Sequence, residues 1–226
     1  MLILRATADL PADTELTFWY IPPKSSISPV KTQEKLQRGW GFKCDCELCV
    51  TEAKTPLKKR KKRELLMKEF LEKKDANGNQ MAQGMLAKME KLSVELEKTY
   101  EGEALPKFKM WELHFELAGH WCDAEKPANV LKQGLKTLSC LGWIVKFEEE
   151  RLEVVKWGIV VKEVVDVWVM LWDACVQLGE REKANRADEY ARTAYKIVVG
   201  EDQTFAEVYG RKAEKAINME KIRIGD

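Results

Sequence analysis

Apolar residues fall into two textures along the chain. Up to residue 20 they come in short runs of strand formers. Met1-Leu2-Ile3-Leu4 is one, and in the other Leu16, Phe18 and Tyr20 alternate with Glu15, Thr17 and Trp19, putting an aromatic on each face. Asp9, Pro11 and Asp13 predict the turn between them. From residue 56 the apolar spacing changes to three and four, the period of helices. Leu65, Leu66, Phe70 and Leu71 mark a first helix, and Met81, Met85, Leu86, Met89, Leu92, Leu96 and Tyr100 a second. Residues 108–121, just after Pro106, predict a third, and residues 127–141, ended by Gly142, a fourth. The valine- and tryptophan-rich stretch 151–178 predicts one long buried helix, the spine of the body. Residues 181–199 and 203–217 complete the set, with Gly200 in the break. Antiparallel pairs at this step length predict tetratricopeptide-like stacking, although only fragments of that consensus occur, such as Ala187, Tyr190, Ala191 and Ala194.

Between the two textures, Pro22, Pro23, Pro29 and three serines predict an irregular loop, and Thr32 is expected to cap a short helix over 33–38. That helix leads into Gly39-Trp40-Gly41-Phe42-Lys43-Cys44-Asp45-Cys46-Glu47-Leu48-Cys49. Cysteines spaced Cys-x-Cys-x-x-Cys can turn three thiolates toward one point, and soft sulfur donors suit a tetrahedral Zn²⁺ site. A fourth ligand must come from water, a carboxylate or a distant cysteine such as Cys122. Trp40 and Phe42 directly precede the cluster, so a metal-pinned loop would carry two aromatic faces able to flank a ligand. The plainer reading is reduced cysteines in a surface loop. His120-Trp121-Cys122 lacks further partners at zinc spacing and reads as core.

Composition narrows the classes. At 226 residues with 45% apolar content the chain can form a small head and a large body. A net charge of +1 gives no global pull toward nucleic acid or an anionic membrane. Only the run Lys58-Lys59-Arg60-Lys61-Lys62-Arg63 could serve nucleic acid or nuclear import, and it reads equally well as a solvated helix start. Its positive charge at a helix N-terminus opposes the macrodipole. Six cysteines, three clustered and three scattered, suggest no disulfide framework and fit a reducing compartment, cytoplasmic and/or nuclear. No basic-then-apolar leader and no 18-residue apolar run occurs, so no membrane partner is expected.

Glu15-Leu16-Thr17-Phe18-Trp19-Tyr20, then a loop, a short helix and Trp40-Gly41-Phe42-x-Cys44-x-Cys46-x-x-Cys49, resembles the end of a SET domain with its post-SET zinc loop. The closer resemblance is to the SET-and-MYND group of protein lysine methyltransferases and related fungal-type proteins. It is specific over residues 1–50 and agrees in type only beyond. The resemblance implies a mainly α fold in four parts: the end of a SET domain (1–38), the post-SET zinc loop (39–50), a basic linker (51–63) and a tetratricopeptide-like helical domain (64–226). It implies that Tyr20 faces a methyl-transfer channel, that Phe42 packs on the adenine of S-adenosylmethionine with Trp40 near the lysine channel, and that Cys44, Cys46 and Cys49 hold zinc. The family's N-terminal Gly-x-Gly segment and Asn-His-Ser-Cys-type motif, which supplies the fourth zinc ligand, have no counterpart here. The chain is therefore expected to be the C-terminal part of a methyltransferase, cut inside its SET domain and unable to bind the cofactor alone. Its expected partners are a substrate lysine or a peptide held by the helices. The competing expectation is a non-catalytic interaction module.

Overall fold

The computed structural model describes residues 11–14, 20–21, 28–77, 83–102, 107–148, 151–201 and 203–210. As expected, the fold is mostly helical with a small antiparallel sheet. Two compact units divide it, Pro11–Leu113 and a second built on His114–Asp226. Both strands expected before residue 20 lie outside the described residues, apart from Tyr20 itself.

In the first unit, helix α1 (Pro29–Trp40) starts at Ser28, whose Oγ accepts from Lys31 N–H at 3.4 Å, with Pro29 in the first turn where no N–H is needed. The expected cap at Thr32 is corrected: its hydroxyl instead donates back to the Ser28 carbonyl at 3.1 Å, inside the helix. Gly41 ends α1 in the left-handed region at φ 74°, with its N–H on the Gln37 carbonyl. Helix α2 (Glu47–Lys54) follows and buries none of its residues. Helices α3 (Leu57–Asn77) and α4 (Gln83–Lys98) pack together, burying Met67 and Phe70 of the one and Leu86, Met89 and Leu96 of the other. Leu65, expected on the inward stripe of α3, is 68% exposed; Met67 takes the inward place.

A 3-10 turn (Phe108–Met110) precedes α5 (Trp111–Asp123). The second unit continues with α6 (Pro127–Cys140), a hairpin of β1 (Ile144–Phe147) and β2 (Leu152–Lys156), then α7 (Lys162–Gln177) and α8 (Arg181–Val199). α7 packs on both α6 and α8. Its inward residues include Val164, Val165, Val167, Trp168 and Leu171. Small residues permit the approach: a Cβ on Gly134 of α6 would meet Leu171 Cδ2 at 2.8 Å, and α8 buries Ala184, Ala187, Ala191 and Ala194. Short turns through Leu178 and Gly179 and at Gly200 (φ 100°) bound α8.

The single helix expected over 151–178 is corrected to a strand, a loop and a shorter helix. Leu152-Glu153-Val154-Val155-Lys156 pairs with β1 in the register Val145 to Val154, Lys146 to Glu153 and Phe147 to Leu152. Its β-branched residues suit a pleated surface once a cross-strand partner exists. Gly158 then lies where any Cβ would sit 2.4 Å from the Leu141 carbonyl, and Ile159 N–H donates to that same carbonyl at 2.9 Å. Trp143 Nε1–H donates to the Ile159 carbonyl, and Trp143, Trp157, Trp168 and Tyr190 form a chain of ring contacts. Tyr190 also accepts from Val154 N–H at 3.1 Å. Beyond Gly200, residues 205–210 are helical, the described part of the helix expected over 203–217.

Candidate metal centre and aromatic cluster

The three clustered cysteines converge. Sγ of Cys44, Cys46 and Cys49 all lie within 4.8 Å of one another, and among the described residues no other histidine, cysteine or carboxylate joins them. Local chain geometry brings this about. Cys44 lies in the extended stretch after α1, Cys46 is the N-cap residue of α2, and Cys49 sits in that helix's first turn, so one helix start gathers two of the sulfurs. The extended stretch is fixed from α1 by a double hydrogen bond that sequence spacing gave no reason to expect. Gln33 Nε2–H donates to the Cys44 carbonyl at 2.9 Å, and its Oε1 accepts Cys44 N–H at 3.0 Å.

The donor set fits zinc. Four-coordinate zinc with Zn–S bonds of about 2.3 Å holds its sulfurs roughly 3.8 Å apart, a small contraction from the observed spread. At Cys44, burial works against ionisation, but hydrogen bonds from the Cys46 backbone N–H and from the Cys46 and Cys49 thiols outweigh it and hold the pKa below the ordinary thiol value. At Cys49, burial first, then hydrogen bonding to Cys44 and Cys46 and their charge, pushes the thiol up to about 12. A divalent cation would relieve this like-charge conflict by displacing the protons.

Beside the sulfurs stand the aromatics. The Tyr20 ring meets Trp40 edge-on at 5.4 Å between centroids and Phe42 edge-on at 5.0 Å. Trp40 is 52% exposed and Tyr20 41%, so two of the three aromatic residues stay open to solvent. All six residues singled out from the sequence thus occur in one corner of the first unit, as two trios, one of sulfurs and one of rings. Aromatic rings carry negative faces, so a solvent-open cluster of them is chemically suited to a cation or a stacked heterocycle. Cys122, a suggested fourth ligand, belongs to the second unit. His120 and Cys122 belong to no group of three metal donors among the described residues. No described helix is long and apolar enough to cross a membrane.

No protein-family model matches the chain. It is similar to a protein named methyltransferase from Gibberella zeae, at 32% identity over 217 residues, which is 92% of this chain and 29% of that protein. The chain therefore spans under a third of the length of the curated relative it matches.

Proposed function

We propose that this chain is the C-terminal portion of an S-adenosylmethionine-dependent protein-lysine methyltransferase of SET type, contributing the tyrosine edge of the active site and a post-SET zinc loop. The observation that carries the reading is the convergence of three sulfurs beside the Tyr20, Trp40 and Phe42 trio. The Gibberella zeae relative named methyltransferase supports the chemistry. In this reading Cys44, Cys46 and Cys49 hold zinc and act structurally, fixing the loop that carries Trp40 and Phe42.

S-adenosylmethionine, when bound, supplies a methyl group on a positively charged sulfur. Each of the three aromatic residues then has its own part. Phe42 offers a face to the adenine, Trp40 walls the approach of the lysine side chain, and the Tyr20 hydroxyl accepts a hydrogen bond from the amine and so aims its lone pair. Transfer of a methyl to a neutral amine needs alignment and exclusion of water more than acid catalysis. Aromatic walls also favour the cationic groups on both sides of the reaction. The test is methyl transfer to lysine peptides by a protein of the relative's length that contains this segment. Tyr20→Phe and Phe42→Ala are each expected to lower the rate at least tenfold, while rates equal to the parent would contradict the reading.

A second reading rests on the layered packing of α6, α7 and α8, with α7 against both neighbours. Such tetratricopeptide-like stacking can present a peptide-binding face without chemistry. It predicts that peptide binding to the helices is unaffected by Tyr20→Phe.

A further inference from the structure

The basic run 58–63 is not a single patch. Arg60 and Arg63, three residues apart and so on one side of α3, line a cavity of about 470 Å³. Lys58, Lys61 and Lys62 are exposed. The cavity lies entirely within the Pro11–Leu113 unit, and none of the sulfur or aromatic residues described above lines it. Its volume falls within the range of small-ligand sites.

Its walls are of two kinds. Met67, Leu71, Leu96 and Tyr100 give an apolar floor. Around it stand five lysines and arginines against three glutamates. Two of those cations lie in ion pairs: Lys109 Nζ is 2.8 and 3.1 Å from the two carboxylate oxygens of Glu52, and Lys68 Nζ is 3.7 Å from Glu72. Glu64, the remaining acid, is exposed. Arg63 is held rigidly, its guanidinium carbon 3.6 Å from the Tyr100 ring centroid and its Nη2 and Nε donating to the Thr99 carbonyl and hydroxyl at 2.6 and 3.1 Å. Arg60 differs. Its Nε is shut off from solvent with no hydrogen-bond partner, and no ion pair among the described residues involves it. With a buried Nε–H that no acceptor meets and with no ion pair among the described residues, this guanidinium has more to gain than Arg63 from an incoming carboxylate, whose two oxygens match its fork.

We propose that this cavity binds an acidic peptide segment, with a carboxylate side chain on Arg60 flanked by an apolar side chain against Met67, Leu71 and Leu96. The charge excess selects an anion, the arginine fork selects a planar one, and the apolar floor selects a peptide over a free ion. The site is independent of the methyl-transfer reading.

The test uses a fluorescent capped peptide alternating glutamate and leucine, with its glutamine counterpart, inorganic phosphate and a single-stranded oligonucleotide as comparisons. Saturable binding of the acidic peptide is expected, with a shift of the Arg60 Nε–Hε resonance in its NMR spectrum. Arg60→Gln should weaken binding at least tenfold, and Met67→Gln should also weaken it. Lys62→Gln, on the exposed face of the same run, should leave it within twofold. Circular dichroism confirms that each variant is folded, and the resonance shift in the parent protein tests the site without any substitution. Equal binding of the glutamine peptide, full competition by phosphate at equal concentration, no shift at Arg60, or loss on Lys62→Gln as large as on Arg60→Gln would overturn the proposal. So would tighter binding of the oligonucleotide through the exposed lysines.

Discussion

The cysteine corner and the α6–α7–α8 stack are ordered by different forces. In the corner, α1 buries only Leu36 and α2 buries nothing, so very little apolar area holds them. Their geometry comes from the Ser28 cap, the Gly41 turn and the double hydrogen bond of Gln33 to Cys44. The stack is the reverse case: α7 turns eight residues inward, with Trp168 wholly buried among the rings of Trp143 and Tyr190. Burial of that kind is worth roughly 25 cal/mol per Å² of apolar surface, and a few local hydrogen bonds at about 1 kcal/mol each cannot match it. What the corner lacks in burial, a metal bound by three sulfurs would supply.

The contrast can be broken most forcefully from the side of the stack. Trp168→Ala removes a fully buried ring and should cost about 3–5 kcal/mol in urea unfolding of the second unit, without changing the zinc content of the protein. A loss below about 1 kcal/mol would show that the stack is not burial-driven. Gly158→Ala should cost about 1–3 kcal/mol, because the new methyl meets backbone at Leu141 and Trp143 that cannot move aside without breaking the Ile159 hydrogen bond. Calorimetry checks it.

On the other side, Gln33→Ala should cost the metal-free corner about 1 kcal/mol and speed hydrogen exchange at the Cys44 amide, with no effect on amides of α7. If zinc is bound, the same substitution should matter less, since the sulfurs then hold Cys44 in place.

The thiols sharpen the comparison through their pKa directions. Cys175 in the stack is pushed up to about 12, by burial first and then by the charge of Glu180, whereas Cys44 is held below the ordinary value. At pH 8 in the absence of metal, iodoacetamide should alkylate Cys44 at least tenfold faster than Cys175, and zinc should suppress the reaction at Cys44 but not at Cys175. The sign for stability follows the same shift. Because folding raises the Cys175 pKa from about 9, its contribution is fully present below pH 9 and is lost as pH rises toward 12.

These two regions also differ in how far the sequence revealed them. The bounds of α8 and the break at Gly200 are local properties, set by an alanine stripe and a glycine, and both were readable. So was the sulfur cluster, because its ligands fall within six residues and one helix start gathers two of them. The hairpin of β1 and β2 was not readable. Val154 and Val155 form a strand only because Val145 and its neighbours lie opposite, a pairing across a turn that helical spacing in 151–178 conceals. Gln33 was missed for a similar reason: nothing about a glutamine in a short helix signals that its amide will clasp a backbone eleven residues away. Equally, the division of the basic run into two cavity-lining arginines and exposed lysines depends on the pairing of α3 with α4, and the order of charges along the chain contains no trace of it.

The central claim is that one divalent ion on Cys44, Cys46 and Cys49 fixes the loop carrying Trp40 and Phe42 beside Tyr20. Zinc K-edge X-ray absorption on protein purified without added metal tests it directly. The account predicts about one zinc per chain with three sulfur neighbours at about 2.3 Å, reduced or lost in Cys49→Ser. A metal-free protein that takes up no zinc on addition, or a zinc shell of nitrogen and oxygen alone, would contradict it.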